Sequence, residues 1–237
     1  MSNPIATQNN DLNTTAISLV NIVRTEIITD EAAPKLLTFS TASQGTATPR
    51  VSAGEHVEQR VKNLILANND TEDITIGYDI ALNNVVFTPE VHALVDGGEF
   101  TIDETNGSFN YSSIPAGVAV DRTRFTLAIY TEEKDYSGLP LSYYRFVFKN
   151  SFGAPATMDL QDGVFLAPQY TIKSTPRKGQ SPVNINSFEM LPRYAASEVE
   201  IEVPDAGETV IFIATAAFTF GGQDYLPGDI IRLTGTV

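Results

Sequence analysis

The chain has 237 residues, no cysteine, two histidines and a formal net charge of −14, with 15 Lys and Arg against 29 Asp and Glu. A chain of this length can bury a core without staples, and the missing cysteines exclude disulfides, thiolate nucleophiles and thiolate metal sites. The acidic balance disfavours wrapping nucleic acid, which needs clustered Lys and Arg, although an acidic surface lining a passage would repel phosphates and let DNA slide without sticking.

No apolar run is long enough to span a bilayer; even residues 210–220 are broken by Thr215 and Thr219. Residues 1–10 hold neither basic residues nor an apolar run, so no secretory signal is read, and a soluble chain made in the cytoplasm is expected.

Residues 1–45 are rich in Thr, Asn, Ser and Ala and read as an N-terminal arm, extended or partly disordered until a neighbour orders it. Its one apolar stretch, residues 17–28, allows a helix through Ile17, Val20 and Arg24, but β-branched content favours an extended segment. Residues 46–195 read as the main β domain and residues 196–237 as a small acidic β extension.

In residues 57–67, Val57, Val61, Leu64 and Ile65 fit a helical face, whereas Val57, Gln59, Val61, Asn63 and Ile65 fit a strand face. The next segment decides for strand: Ile74, Ile76, Tyr78, Ile80 and Leu82 alternate cleanly, and Asn68-Asn69-Asp70 supplies turn chemistry for an antiparallel pair. Thr88-Pro89-Glu90 starts a short helix, with Thr88 as cap and Pro89 at the first position; Gly97-Gly98 ends it, and Val91, Leu94 and Val95 form its buried face. So short a helix survives only by packing on a sheet. Strands follow at residues 125–130, 143–149 and 170–174, and residues 131–142 read as an exposed loop. Farther on, Glu198, Glu200 and Glu202 alternate with Val199, Ile201 and Val203 as a strand with an acidic face, followed by strands at 210–214 and 225–233. From Ala196 onward seven acids stand against one base, Arg232, which discourages random strand pairing. The fold class is therefore mainly β with one short α-helix.

A catalytic constellation is not legible. The G-G-E-F at Gly97 and G-G-Q-D at Gly221 sit in turns and make no phosphate loop. His56 and His92 stand on different elements without a second ligand at helical spacing, so a surface or half-buried fate is expected of them. Glu132-Glu133 and Asp103-Glu104 lack a distant partner for acid/base work. Asp70, Glu72 and Asp73 lack the glycine and closing glutamate of a calcium loop. Residues 174–182 hold Arg177 and Lys178, the most basic spot in the chain, read as a solvated loop or an inter-subunit salt bridge. No metal or cofactor is expected.

Taken in order, R-V-K-N from Arg60, G-Y-D-I from Gly77, T-P-E-V-H-A-L-V-D-G-G from Thr88, F-T-L-A-I-Y-T-E-E-K from Phe125, Y-R-F-V-F-K-N from Tyr144 and A-P-Q-Y-T-I-K-S-T-P-R-K-G-Q-S-P from Ala167 resemble the major tail (tail tube) proteins of siphophages and related prophages. The resemblance spans residues 54–192. It implies a tail-tube-type β-sandwich or barrel subunit flanked by one helix. It further implies hexameric rings stacked into a tube, an inner barrel shared by six subunits, and an acidic lumen that conducts DNA. The partners implied are other copies and other tail proteins (tape measure, tail terminator, baseplate), with no membrane; the location implied is the virion tail. By the same analogy Glu132, Glu133, Lys134, Asp135 and Tyr136, with Arg177 and Lys178, are contact candidates between subunits or rings, and the arm would reach a neighbouring ring. No acid is assigned to the lumen. The extension after Ala196 departs from the basic tube pattern. The alternatives are a tail terminator, a capsid decoration protein, a receptor- or carbohydrate-binding adhesion module, weakened by the absence of Trp, and a hydrolase on a β scaffold, which would need a pocket of convergent titratable groups.

Overall fold

The computed structural model describes residues 17–103 and 105–235; residues 1–16 of the expected arm and Glu104 of the Asp103-Glu104 pair lie outside them. In chain order the elements are β1 (Leu19–Thr29), β2 (Leu36–Phe39), β3 (Ala42–Ser52), β4 (His56–Val61), β5 (Leu64–Asp70), β6 (Ile74–Asn84), α1 (Pro89–Asp96), β7 (Glu99–Asp103) and β8 (Ser108–Ser112). They continue with β9 (Phe125–Lys134), β10 (Pro140–Gly153), β11 (Gln169–Ser174), β12 (Asn184–Phe188), β13 (Arg193–Ala195), a 3₁₀ turn (Glu198–Glu200), β14 (Thr209–Ala214), β15 (Phe218–Phe220), β16 (Gln223–Tyr225) and β17 (Ile230–Thr234). The chain is mainly β, as the alternating patterns predict.

One antiparallel sheet, in the order β2-β1-β9-β10-β11-β6-β3 with β12 also on β10, organises the molecule. Residues 19–29, expected within an arm, are instead a central strand between β2 and β9. Its Val, Ile and Thr content suits a pleated surface buried on both sides, and its last six residues are buried in unbroken succession. Strand β9 is buried on both faces as well: Phe125, Leu127 and Ile129 point one way, Ala128 and Tyr130 the other. Gly45 of β3 faces Ile22 and Ile129 at van der Waals distance, so the sheet curls until its far edge approaches its near one.

The inner face is closed by α1, whose Val91 and Val95 join Ile27, Ile80, Leu82, Phe125, Leu127 and Ile172 in the main core. Helix and sheet meet closely at Gly153, where an added Cβ would fall 1.9 Å from the Val95 carbonyl oxygen. Pro89 opens the helix and Gly97 closes it in the left-handed region (φ 86°), both as predicted, but the Thr88 side chain makes no capping hydrogen bond. The buried face is Val91, His92, Ala93, Val95 and Asp96, with Leu94 half-buried, a wider face than the expected one.

The outer face is covered by the C-terminal strands. Ile211 and Ile213 of β14 pack on Ala128, Tyr130, Val147 and Phe188, while Phe212 turns to a third cluster with Ala195, Ile201 and Ile231. Residues on both sides of position 196 share these cores. Three predicted elements differ in detail. Residues 198–203 form a 3₁₀ turn and coil, not a strand; Val199 and Val203 are 92% and 75% exposed, with no strand pairing them. The expected strand at 225–233 breaks at Pro227-Gly228 into β16 and β17. The pairing of residues 56–70 turns at Lys62, which takes a positive φ of 54°, so β5 runs through Asn68-Asn69-Asp70 and β6 pairs with β3 and β11.

Candidate functional site

Residues 131–142 are not an open loop. Strand β9 continues to Lys134, β10 begins at Pro140, and Asp135 ties the turn between them. The Asp135 amide donates to the Leu139 carbonyl (2.9 Å), the Leu139 amide to the Asp135 carboxylate (2.8 Å) and the Gly138 amide to the Asp135 carbonyl (3.0 Å). Of the contact candidates here, Glu132 is buried: Asn21 Nδ2 donates to it at 2.6 Å and Lys134 Nζ pairs with it at 3.0 Å. Those two bonds hold its carboxyl below the usual carboxylate range. Glu133 accepts from Ser142 Oγ (2.5 Å) and Tyr144 OH (3.3 Å). Only Asp135 and Tyr136 stand at the tip, and Tyr136 is fully exposed.

Arg177 and Lys178 are exposed on a turn closed by the Gln180 amide donating to the Arg177 carbonyl (2.9 Å). Arg177 lines a cleft of about 870 Å³ at the other end of the β9–β10 pair, with Asp30, Arg145, Lys149, Ile185 and Leu226 among its walls. Burial raises the Asp30 carboxyl, opposed by the fields of Arg177 and Arg124. Lys178 does not reach this cleft.

Beneath the cleft lies a charged cluster absent from the sequence-level candidates. The fully buried Glu26 carboxylate pairs with Arg24 (3.0 Å) and Arg145 (3.3 Å) and accepts from Tyr130 OH (3.2 Å) and Tyr194 OH (2.9 Å). Arg24 also donates to the Pro192 carbonyl (2.7 Å) and lies over the rings of Tyr130 and Tyr194 at 4.4 and 4.6 Å. Burial pushes both phenols well above their ordinary range. Cross-strand register builds the cluster, setting Arg24 opposite Tyr130 and Tyr130 opposite Arg145. The cluster joins the main sheet to the C-terminal strands and leaves two guanidiniums to one carboxylate. The legible signal is Arg24 and Glu26 two positions apart as the charged residues of a strand rich in Val and Ile.

Among the described residues the β4–β5 ribbon pairs with no other strand. Val57, Val61, Leu64, Ile65 and Leu66 are 49–63% exposed, and the residues of both strands are exposed apart from Glu58. A two-stranded ribbon has no core of its own, so these side chains have nothing to pack on in a single copy. His56, on the same ribbon, contacts Asp70 and lies 3.1 Å from Glu58. The outer edge of β3 is also unpaired among the described residues.

His92 is fully buried, contrary to the surface or half-buried fate expected, because α1 presses it among the rings of Phe87, Tyr111 and Tyr170. Burial lowers its pKa, with Asp96 acting in the opposite sense. Asp96 accepts from Tyr111 OH and from the Ala156 amide (3.1 Å), which anchors two loops to the helix end. Among the described residues no three His, Cys, Asp or Glu side chains converge as a metal set, and no helix is long and apolar enough to cross a membrane.

No known family description matches the chain, and no curated protein does. Eleven chains of solved structures are similar to it, three of which are as follows. A chain of the anti-feeding prophage baseplate is 11% identical over 72% of this chain and 96% of its own, with a TM-score of 0.37. A chain of the sheath-tube complex of an extracellular contractile injection system in its extended state is 12% identical over 71% and 92%, with a TM-score of 0.36. A chain of the anti-feeding prophage tube-terminating cap is 13% identical over 78% and 100%, with a TM-score of 0.36. Superpositions this loose do not establish a shared fold.

Proposed function

We propose that this chain is a non-enzymatic structural subunit of a phage-type tail, a tube protein that assembles into stacked hexameric rings around a DNA conduit. The observation that carries this reading is the β4–β5 ribbon: an apolar surface with no partner among the described residues of its own copy, on a chain whose main sheet also ends, among those residues, in an unpaired edge strand. Such a surface persists in a soluble protein when another chain covers it. The ordered phrases between Arg60 and Pro182 add the tail-tube character, and the net charge of −14 suits a conduit that must not hold DNA. In this role the partners are other copies of the chain, with tape measure, terminator and baseplate proteins at the ends. The subunit is made in the bacterial cytoplasm and ends in the virion tail.

Substituting Leu64→Asp and Ile65→Asp together tests the reading. Both side chains are exposed in the single copy, so the monomer should keep its circular dichroism and melting temperature while rings or tubes are lost from electron micrographs. Normal tubes from this variant would remove the ribbon from the assembly and the main support from the proposal.

A further inference from the structure

We propose that the β9–β10 tip of one copy, residues 135–139, seats in the cleft of a second copy at the opposite end of the same strand pair. The inference rests on the assembly reading above and names a contact within it.

The two features lie at opposite ends of one rigid element. The tip follows Lys134, the last residue of β9, while the cleft is walled by Thr126, near its first. Eight residues of strand lie between Thr126 and Asp135, roughly 30 Å at the usual rise. Each copy therefore carries one knob and one socket pointing apart. Such a pairing is heterologous and propagates head to tail, as stacking requires.

The knob is preorganised. Three hydrogen bonds through Asp135 fix the turn, so little ordering entropy remains to be lost on docking. It presents Tyr136 fully to solvent and Leu139 at 64% exposure, large side chains that do nothing for the single copy. The socket offers matching chemistry. Ile185, Leu226 and Pro227 supply an apolar wall, and a volume of about 870 Å³ admits a tyrosine side chain and its turn.

The socket is mixed in charge, with Asp30, Glu31 and Asp229 beside its cations, and the charge match with the knob is on the cationic side. Lys149 and Arg177 line the socket without a carboxylate within 4.0 Å among the described residues, and Arg145 below them is 4% exposed with an unpartnered Nε. The knob brings the Asp135 carboxylate, which keeps free acceptor capacity beyond its bond to Leu139.

The absence of native cysteine makes the test direct. A full-length chain carrying Tyr136→Cys and Ala217→Cys, the latter an exposed residue of the socket, is assembled at high concentration, imaged, and oxidised. A ladder of dimers, trimers and longer species on non-reducing gels, absent from either single variant, is the result expected. Tyr136→Ala should raise the concentration needed for assembly about tenfold or more while leaving the monomer's melting temperature unchanged. Tubes or rings with no ladder above the single variants, or a cross-link that stops at dimer, would overturn this contact and leave the proposed function standing. A wild-type chain that neither assembles nor yields a ladder in the double variant overturns both.

Discussion

At Glu26 two guanidiniums and two phenols converge on a single carboxylate inside the sheet, so this residue bears on stability more than any exposed acid. Removing it leaves Arg24 and Arg145 buried with no counter-charge. Glu26→Ala should therefore cost about 3–5 kcal/mol in urea denaturation, and a loss under about 1 kcal/mol would contradict the network's role. His92 gives a second prediction at this scale. Its folded pKa lies below the ordinary 6.5, so below pH 6.5 the unfolded chain binds a proton that the folded chain refuses. Stability is thus unaffected by this group at higher pH and is lost as pH falls from 6.5 toward the folded value. Melting temperatures measured between about pH 7.5 and 5.5 should fall less steeply for His92→Phe than for the parent; parallel curves would contradict the assignment. In the sequence His92 does not announce itself, and Glu26 does so only through its spacing from Arg24. Burial of His92 depends on Tyr111 and Tyr170, brought from β8 and β11 to join nearby Phe87, and the pairing of Glu26 with Arg145 depends on strand register across β9.

Among the elements, those whose pattern and packing agree were legible. Helix α1 follows from Pro89 and Gly97, and β9 from its apolar run. The β9–β10 turn was misread because Glu132, Glu133 and Lys134 look like a solvated loop by composition, whereas Asn21, Ser142 and Tyr144 pair the two glutamates within the sheet. The 56–70 ribbon was misregistered because Lys62 accepts a positive φ that turn rules reserve for Gly and Asn. Residues 198–203 alternate perfectly, yet no strand pairs them, so alternation alone makes no strand. Since the C-terminal strands complete the outer core, truncation after Ala196 should not yield a trimmed subunit. It would uncover Tyr130, Val147 and Phe188 and remove Ile211 and Ile213, and the truncated chain should bind a hydrophobic dye or aggregate. A soluble, cooperatively melting product of normal stability would show the extension to be dispensable.

For the whole molecule, a surplus of fourteen negative charges would set copies against one another, and the proposed assembly must overcome that repulsion with apolar contact. Raising ionic strength from about 0.05 to about 0.5 M shortens the screening length severalfold, so salt should promote association; dissolution of assemblies by salt would mean that ion pairs hold them. The most direct measurement is electron microscopy of the purified full-length chain at high concentration beside sedimentation velocity. The account predicts rings or tubes with a central hole and a concentration-dependent shift to large species. A chain that stays monomeric at every concentration, with its β4–β5 ribbon intact, would contradict it.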